Sequence, residues 1–465
     1  MAKKNVKLIG MDIEQFKTLI DEKQIFVRPA RLIPSSIKAG DEMALCSIFL
    51  SALRLIKEFR EDVFSDLKFR KGGAHYFYVE TTFLDIKDAR PDGLILNVVS
   101  GEIRDAVIME VKNKHNQIDD TQIQKYIELA KAIGVVKILT ISNQYVPDPS
   151  QSPVQCKAPK GIELYHYSWT ALLTLAHVLL FQNAHNIEDS DQKALMKEIV
   201  NFFESKDSGI LGFSDMKRGW KEVIKQFTAG TIPKKTSPEV IEAIESWQQE
   251  EKDMALKLSQ KLGEMVKLAS KQDLKTRFES DYKQLSTKKQ LVSKLRVNNV
   301  VSAIEVIAHF ERRTVTMSVE LQAPDKTIRG QIGWLKKQID SCAMKNIEIF
   351  TKIRDYLHIQ PNLKYRNEYP LTAIDGLEKA ITDLKGKEIN SFTISYIFHL
   401  GAKFESGKKF VEIIESMLVD FYSSIVQHLT NPPPKTPQIK KKDDQTPLEE
   451  VGSSEEETAE SLLTE

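Results

Sequence analysis

Apolar residues change their spacing twice along this chain, and each change marks a different kind of structure. Ile13 to Ile20 reads as a short amphipathic helix, after which Pro29 and Pro34 interrupt regular structure, so residues 1–39 form a lead-in. Gly40-Asp41 opens a helix expected to run to about Arg60. Leu67 to Arg70, a turn at Gly72-Gly73 and the aromatic, β-branched run Tyr76 to Phe83 read as strand, turn and strand. Gly93 to Val99 and Ala106 to Lys112 are two more strands around a turn at Ser100-Gly101-Glu102. Asp120 caps a helix expected over Thr121 to Ile133, and Gly134 stops it. Val135 to Ser142 and Ile162 to Tyr167 are strands, with a proline-rich irregular loop from Tyr145 to Lys160 between them. Ser168 then caps a helix through about Leu180. Residues 40–185 thus form an α/β layer domain.

After about Asn186 the spacing becomes helical and rich in Lys, Glu and Leu. A long periodic stretch begins at Pro238, runs to about Gln284 and continues in pieces to Phe310. Its heptad periodicity is not sustained, so packed helices are expected, not one coiled coil. Val315, Met317, Val319 and Leu321 alternate with polar residues and form an isolated strand. Helices fit Thr327 to Leu357, Leu371 to Leu384 and Gly407 to Leu429. Residues 186–430 are therefore expected to be a mainly α-helical domain, and 431–465, after Pro432-Pro433-Pro434, a disordered acidic tail.

Composition narrows the class. With 465 residues, 41% hydrophobic and 28% charged, the chain is long enough for two globular domains. No apolar run spans a bilayer, so no membrane role is expected. The opening Met-Ala-Lys-Lys-Asn-Val-Lys lacks the apolar core of a secretory signal. Cys46, Cys156 and Cys342 are scattered, which argues against disulfides and structural zinc and fits a cytoplasmic protein. The net charge of +1 hides a tail at −5, with four Lys against nine Asp or Glu, and a body at +6. A mildly basic body is compatible with nucleic acid without requiring it.

The chemistry concentrates in Arg90-Pro91-Asp92-Gly93 and Ile108-Met109-Glu110-Val111-Lys112. Glu110 and Lys112 share one face of an otherwise apolar strand. If the two strands pair through the Ser100-Gly101 turn, Asp92 approaches Glu110, and a divalent cation relieves the repulsion of paired carboxylates. The Val111 backbone carbonyl can add a ligand. Lys112 can orient or deprotonate a water or stabilise phosphate charge. Glu42, Cys46, Phe49, Leu53 and Ile56 fall on one helix face, and Glu42 is the charged one. It either serves the helix macrodipole or points into the acidic cluster. Gln122 and Tyr126, four apart, present an amide and a phenol on one helix face.

Pro91-Asp92 followed by Glu110-Val111-Lys112 resembles the PD-(D/E)xK nuclease superfamily, the restriction-endonuclease-like fold. Gln122 to Tyr126 resembles the QhxxY element of its RecB-like branch. The resemblance covers roughly residues 40–180. It implies metal binding by Asp92 and Glu110 with Mg²⁺ or Mn²⁺, a catalytic Lys112, and a helix-borne acid matched by Glu42. RecB-like members often hold an iron–sulfur cluster with four Cys, which three scattered Cys do not support.

Other features have plainer readings. Lys114 and His115 are loop surface that can touch phosphate. Lys68, Arg70 and Lys71, and also Lys288, Lys289, Lys294 and Arg296, are solvated charge runs. Trp220, Trp247 and Trp334 read as core. No Walker-type glycine loop or nucleophilic Ser/His/Asp set is present. The expectation is a metal-dependent nuclease acting on DNA, with RNA open. The helical domain is expected to bind a protein partner or form a homo-oligomer. Because phosphate contacts carry no sequence information, such an enzyme needs restraint, as an antiviral defence or restriction effector would. The alternative is a silent nuclease-fold subunit that binds nucleic acid or scaffolds a complex.

Overall fold

Leu94, Leu96 and Val98 face one way along their strand and Ile95 and Asn97 the other, and both faces are buried. A strand covered on both sides has no exposed face to mark with polar residues, so this run is apolar almost throughout. The computed structural model describes residues 7–29, 32, 40–83, 89–146, 148–154, 156, 158–181, 186–270, 272, 274–364, 369–385 and 387–433. Its first part comprises α1 (Ile13–Asp21), β1 (Ile25–Pro29), α2 (Glu42–Leu55), α3 (Lys57–Asp66), β2 (Ala74–Phe83), β3 (Gly93–Val99) and β4 (Glu102–Val111). It continues with α4 (Asp120–Ile133), β5 (Lys137–Ser142), β6 (Glu163–Ser168), α5 (Trp169–Leu180) and α6 (Ser190–Glu204). The six strands form one mixed sheet in sequence order. β1 to β4 pair antiparallel, and β4, β5 and β6 pair parallel, β4 and β5 being joined through α4.

The period of two along each strand sorts the core into two layers. Leu94, Leu96, Ile108 and Ile138 pack with Phe16 of α1 and Ile127 of α4. Ile95, Met109, Leu139 and Ile141 pack with Phe49 of α2, Phe59 of α3 and Trp169 of α5. The caps follow from side-chain oxygens beside free amides: Asp119 accepts from Gln122 N–H (2.9 Å) and Ser168 from Ala171 N–H (3.1 Å). Gly134 ends α4 at φ 76°. The cap is thus one residue ahead of the expected Asp120.

Three local expectations differ. The helix expected from Gly40 to Arg60 is two helices, because Ile56 is extended (φ −117°, ψ 110°) and the Lys57 N–H donates to Gln192 Oε1 at 2.8 Å. Leu67 to Arg70 is not a strand. Lys68 lies in the left-handed region (φ 49°), and Phe69 N–H returns to Phe64 O (2.8 Å), closing α3. The lead-in contains β1, whose Pro29 sits on the outermost strand, where a missing N–H costs little.

The second part comprises α7 (Arg218–Thr228), α8 (Pro238–Leu262), β7 (Lys267–Leu268), α9 (Leu274–Lys288), β8 (Gln290–Arg296), β9 (Ile304–His309), β10 (Thr314–Gln322), α10 (Ile328–Lys345) and α11 (Ile347–Ile353). β11 (Leu357–Leu363), β12 (Thr372–Ala373), α12 (Leu377–Asp383), β13 (Ile389–His399) and α13 (Gly407–Ser424) complete it. The expectation of a mainly α-helical domain is corrected here, since the helices accompany a seven-stranded antiparallel sheet ordered β12-β11-β13-β10-β9-β8-β7. The expected strand from Val315 is β10, in the middle of that sheet. Buried serines hid two other strands of this sheet. Ser293 lies between Leu291 and Leu295 in β8, and Ser391 and Ser395 are buried in β13, so apolar alternation breaks although burial does not. Trp220 anchors this half, stacked on Trp247 (13° between planes) and packed on Phe310, Phe404 and Phe410. Its indole N–H donates to Phe404 O at 2.9 Å.

The expected boundary at 185/186 cuts a core, because Met196, Ile199 and Phe203 of α6 belong to the Phe49–Trp169 layer. Residues 1–431 make one compact unit. Within the expected acidic tail, residues 434–465 lie outside the described residues. Among those described, no helix is long and apolar enough to cross a membrane.

Candidate active site

β3 and β4 pair with Gly93 opposite Met109, which sets Asp92, just ahead of β3, beside the end of β4. The backbone around Asp92 is held from both sides. Its carbonyl accepts from Glu80 N–H (2.9 Å) and Cys46 Sγ (3.5 Å), and Pro91 O accepts from Thr81 N–H (3.0 Å). Gly93 lies where α2 and β4 approach closely. A Cβ would meet Cys46 Sγ and Leu50 Cδ1 at 3.2 Å and Met109 Cβ at 3.3 Å. Asp92 Oδ2 then accepts the Val111 N–H at 2.8 Å.

Glu110, only 1% exposed, is the hub. Its Oε1 accepts from the Lys112 ammonium and from Gln122 Nε2 (2.5 Å), and its Oε2 from the Tyr126 hydroxyl. Tyr126 also reaches Arg90 O at 3.1 Å. Gln122 and Tyr126 stand on α4 one turn apart and meet the same carboxylate, as their spacing predicts. The Lys112 carbonyl accepts from Trp169 Nε1 (2.9 Å), fixing the strand exit. Asp92, Glu110, Lys112, Gln122 and Tyr126 thus come together.

Glu42 lies at the margin. Its Oε2 is 3.9 Å from Lys112 Nζ, while its Oε1 accepts from Asn113 N–H (2.9 Å) and Asn116 Nδ2 (2.8 Å). Asp92, Glu110 and Glu42 do not bring three oxygens within 4.8 Å of one another. The helix N-terminus is capped by Asp41, which accepts from Met43 and Ala44 N–H, so Glu42 is free for this second task. Val111 enters through its N–H to Asp92. Lys114 leaves the strand at φ 53°, lies against Gly40 and Gly209, and presents its carbonyl to Asn143 Nδ2 (3.0 Å). Lys68, Arg70 and Lys71 precede β2 at the end of the sheet away from Asp92. Lys289 and Lys294 are paired with Glu311 and Glu305.

Sequence reading missed the supports. Asn113, 1% exposed, donates to Ser208 O (2.7 Å) and to Gly40 O (3.3 Å), tying the β4 exit to the segment after α6. Glu80, at φ 53°, holds Arg28 (2.7 Å) and Arg90 (2.8 Å) beside the site. An Asn following the strand was the one available signal. The Glu80–Arg28 and Trp169–Lys112 contacts span long sequence separations and leave none.

Electrostatics follow from burial and from the carboxylate pair. Burial first, and then the adjacent Glu110, push Asp92 up to about 8. Burial pulls Lys112 down, but its bond to Glu110 and the surrounding acids outweigh that and hold it above the usual lysine range. Burial and Glu110 keep the Tyr126 phenol protonated. Burial, reinforced by Asp92 and Glu110, raises the Cys46 thiol well above its usual range, so it packs as a neutral group. The ligand atoms that Asp92 and Glu110 themselves offer are all oxygen, and a carboxylate made costly to ionise by a neighbouring carboxylate is the chemistry a hard divalent cation satisfies. Comparison with protein-family models, with curated proteins and with solved structures gives no match.

Proposed function

We propose that this protein is a divalent-metal-dependent nuclease that hydrolyses phosphodiester bonds of DNA. One observation carries the reading: two carboxylates, Asp92 and Glu110, converge beside a lysine on the same strand, and the fold maintains that costly charge cluster with Gln122, Tyr126 and Val111. Asp92 and Glu110 would hold Mg²⁺ or Mn²⁺, which supplies Lewis-acid polarisation of the phosphate and a more acidic water. The chain's own groups do the rest. Glu110 is oriented by Gln122 and Tyr126, so its oxygens do not have to reorganise. Lys112, kept as an ammonium, donates to a phosphate oxygen or to the attacking water and offsets charge as it builds. Glu42, 3.9 Å from the ammonium, positions Lys112. In this reading the enzyme is a restrained effector of the restriction or antiviral defence type, since none of these groups reads a base.

The test is cleavage of supercoiled plasmid and of single strands by the full chain with Mn²⁺ or Mg²⁺. Wild-type cleavage that EDTA stops, and that Glu110→Gln and Lys112→Ala abolish, supports the reading. A wild type that stays inactive with both metals on every substrate overturns it in favour of a silent, nucleic-acid-binding subunit. Salt-dependent DNA binding without cleavage would identify that alternative.

A further inference from the structure

A second set of carboxylates gathers where α8 meets α13. Glu250 and Asp253 stand one turn apart on α8 and Glu415 reaches them from α13, with one oxygen of each within 4.8 Å of the other two. Glu250 is 0% exposed, and neither of its oxygens has a hydrogen-bond partner among the described residues. Asp253 is equally buried. Its Oδ1 accepts from the Tyr145 hydroxyl (2.8 Å), while its Oδ2 lies 2.9 Å from Lys257 Nζ without hydrogen-bond alignment. Lys257 also pairs with Glu415 Oε1 at 2.5 Å. One ammonium therefore faces three carboxylates, and Glu250 receives no donor at all. The next residue shows the contrast, since buried Glu251 meets Arg277 at 2.8 Å. A buried carboxylate without a donor is expensive, and evolution or chemistry must supply it with a cation or a proton.

We propose that Glu250, Asp253 and Glu415 bind one hard divalent cation, Ca²⁺ in preference to smaller ions, as a structural site that pins α13 to α8. The donor set is all oxygen, which selects hard cations over zinc or copper. Three carboxylates and one ammonium leave a charge that one divalent ion balances. Calcium–oxygen distances of roughly 2.3–2.6 Å reach oxygens anywhere within the 4.8 Å limit of this cluster, whereas magnesium, at about 2.0–2.1 Å, needs them drawn closer. A cleft of about 590 Å³ lined by Lys257, Leu258, Glu412 and Glu415 borders the cluster on its Glu415 side, with Glu250 and Asp253 buried behind its wall. Lys257, 36% exposed, stands at its mouth and pairs with Asp253 and Glu415. Through the Tyr145 bond to Asp253, the ion would also brace the segment between β5 and β6 against α8. The site is separate from the Asp92–Glu110 pair and does not depend on its activity.

The experiment uses the full chain carrying Asp92→Asn and Glu110→Gln, stripped with EDTA, so that the first pair contributes no binding. Tb³⁺, a luminescent stand-in for Ca²⁺, is titrated with excitation of the aromatic side chains, Tyr145 being the built-in sensitiser. The expected result is one saturable site per chain, displaced by Ca²⁺ more readily than by Mg²⁺, and a higher Tm in Ca²⁺. Glu250→Gln keeps the side-chain volume and should weaken binding by at least the roughly 10–100-fold that losing even an outer partner of a metal ligand costs. Glu415→Gln, at the cleft mouth, should do the same and decides the matter if Glu250→Gln fails to fold by circular dichroism. No saturable site, or a titration unchanged in the folded variants, overturns the proposal. Either outcome leaves the nuclease reading as it was.

Discussion

Asp92 Oδ2 accepts the backbone N–H of Val111 at 2.8 Å. This bond locks the start of β3 to the end of β4 and holds Asp92 next to Glu110, one residue before Val111. It brings Asp92 and Glu110, 18 positions apart in the chain, to one place. Four measurable consequences follow from that arrangement.

Substitutions should separate into two tiers. On the proposed nuclease reading, Asp92→Asn, Glu110→Gln and Lys112→Ala remove the metal-holding and phosphate-facing groups and should each lower kcat by about 10²–10³ or more. Glu42→Gln acts through Lys112 and should cost less, because only its Oε2 faces the ammonium while its Oε1 serves Asn113 and Asn116. Single-turnover plasmid cleavage measures both tiers. A Glu42→Gln loss as deep as that of Glu110→Gln would place Glu42 in the reacting shell.

Tyr126→Phe deletes the hydroxyl that donates to Glu110 and lies 3.1 Å from Arg90 O. Leaving a buried acceptor unpaired costs about 1–3 kcal/mol, so Tm should fall by several degrees while residual cleavage persists. Gln122→Ala should lower kcat more than stability, since Lys112 still covers the same oxygen. Denaturation curves and kcat measured on the same preparations test the split.

The pH dependence has a definite sign. Folding raises Asp92 from 3.8 to about 8, so across that interval the folded chain holds a proton that the unfolded chain releases. Stability in EDTA should therefore fall as pH rises from about 4 to about 8, by at most about 1.4 kcal/mol per pH unit from this group. Asp92→Asn should remove that part of the slope, and Mn²⁺ should restore stability at the high-pH end. Urea titrations at several pH values check this. Parallel slopes for wild type and Asp92→Asn would refute it.

Gly93→Ala should destabilise. Its new Cβ meets Cys46, Leu50 and Met109 at 3.2–3.3 Å, tighter than ordinary contact, where α2 seats against β3. Overpacking of this kind costs about 1–3 kcal/mol. Because the shift starts next to Asp92, cleavage should drop along with Tm. An unchanged Tm would show that α2 has slack here.

Much of the first sheet was legible because its signals are local. Gly93–Val99 and the Asp119–Gly134 helix announce themselves through apolar runs, caps and a left-handed glycine, all set within a few residues. The grouping of the candidate site residues was legible for a related reason. Glu110 and Lys112 share a face by strand geometry, and Gln122 and Tyr126 by helix geometry, so each pair is determined before the chain folds.

What tertiary structure decided is everything set by distant partners. Burial of Ser293, Ser391 and Ser395 inside the second sheet, the joining of α6 to the Phe49–Trp169 core, and the clasp of Glu42 by Asn113 and Asn116 each depend on segments far apart in the chain. So does the meeting of Glu250, Asp253 and Glu415. A serine reads as polar until a fold surrounds it, and a carboxylate on a helix reads as solvated until another helix closes over it. Local geometry determined which residues could act together on one element; packing between elements determined which of them were buried, and so which charges had to find a partner.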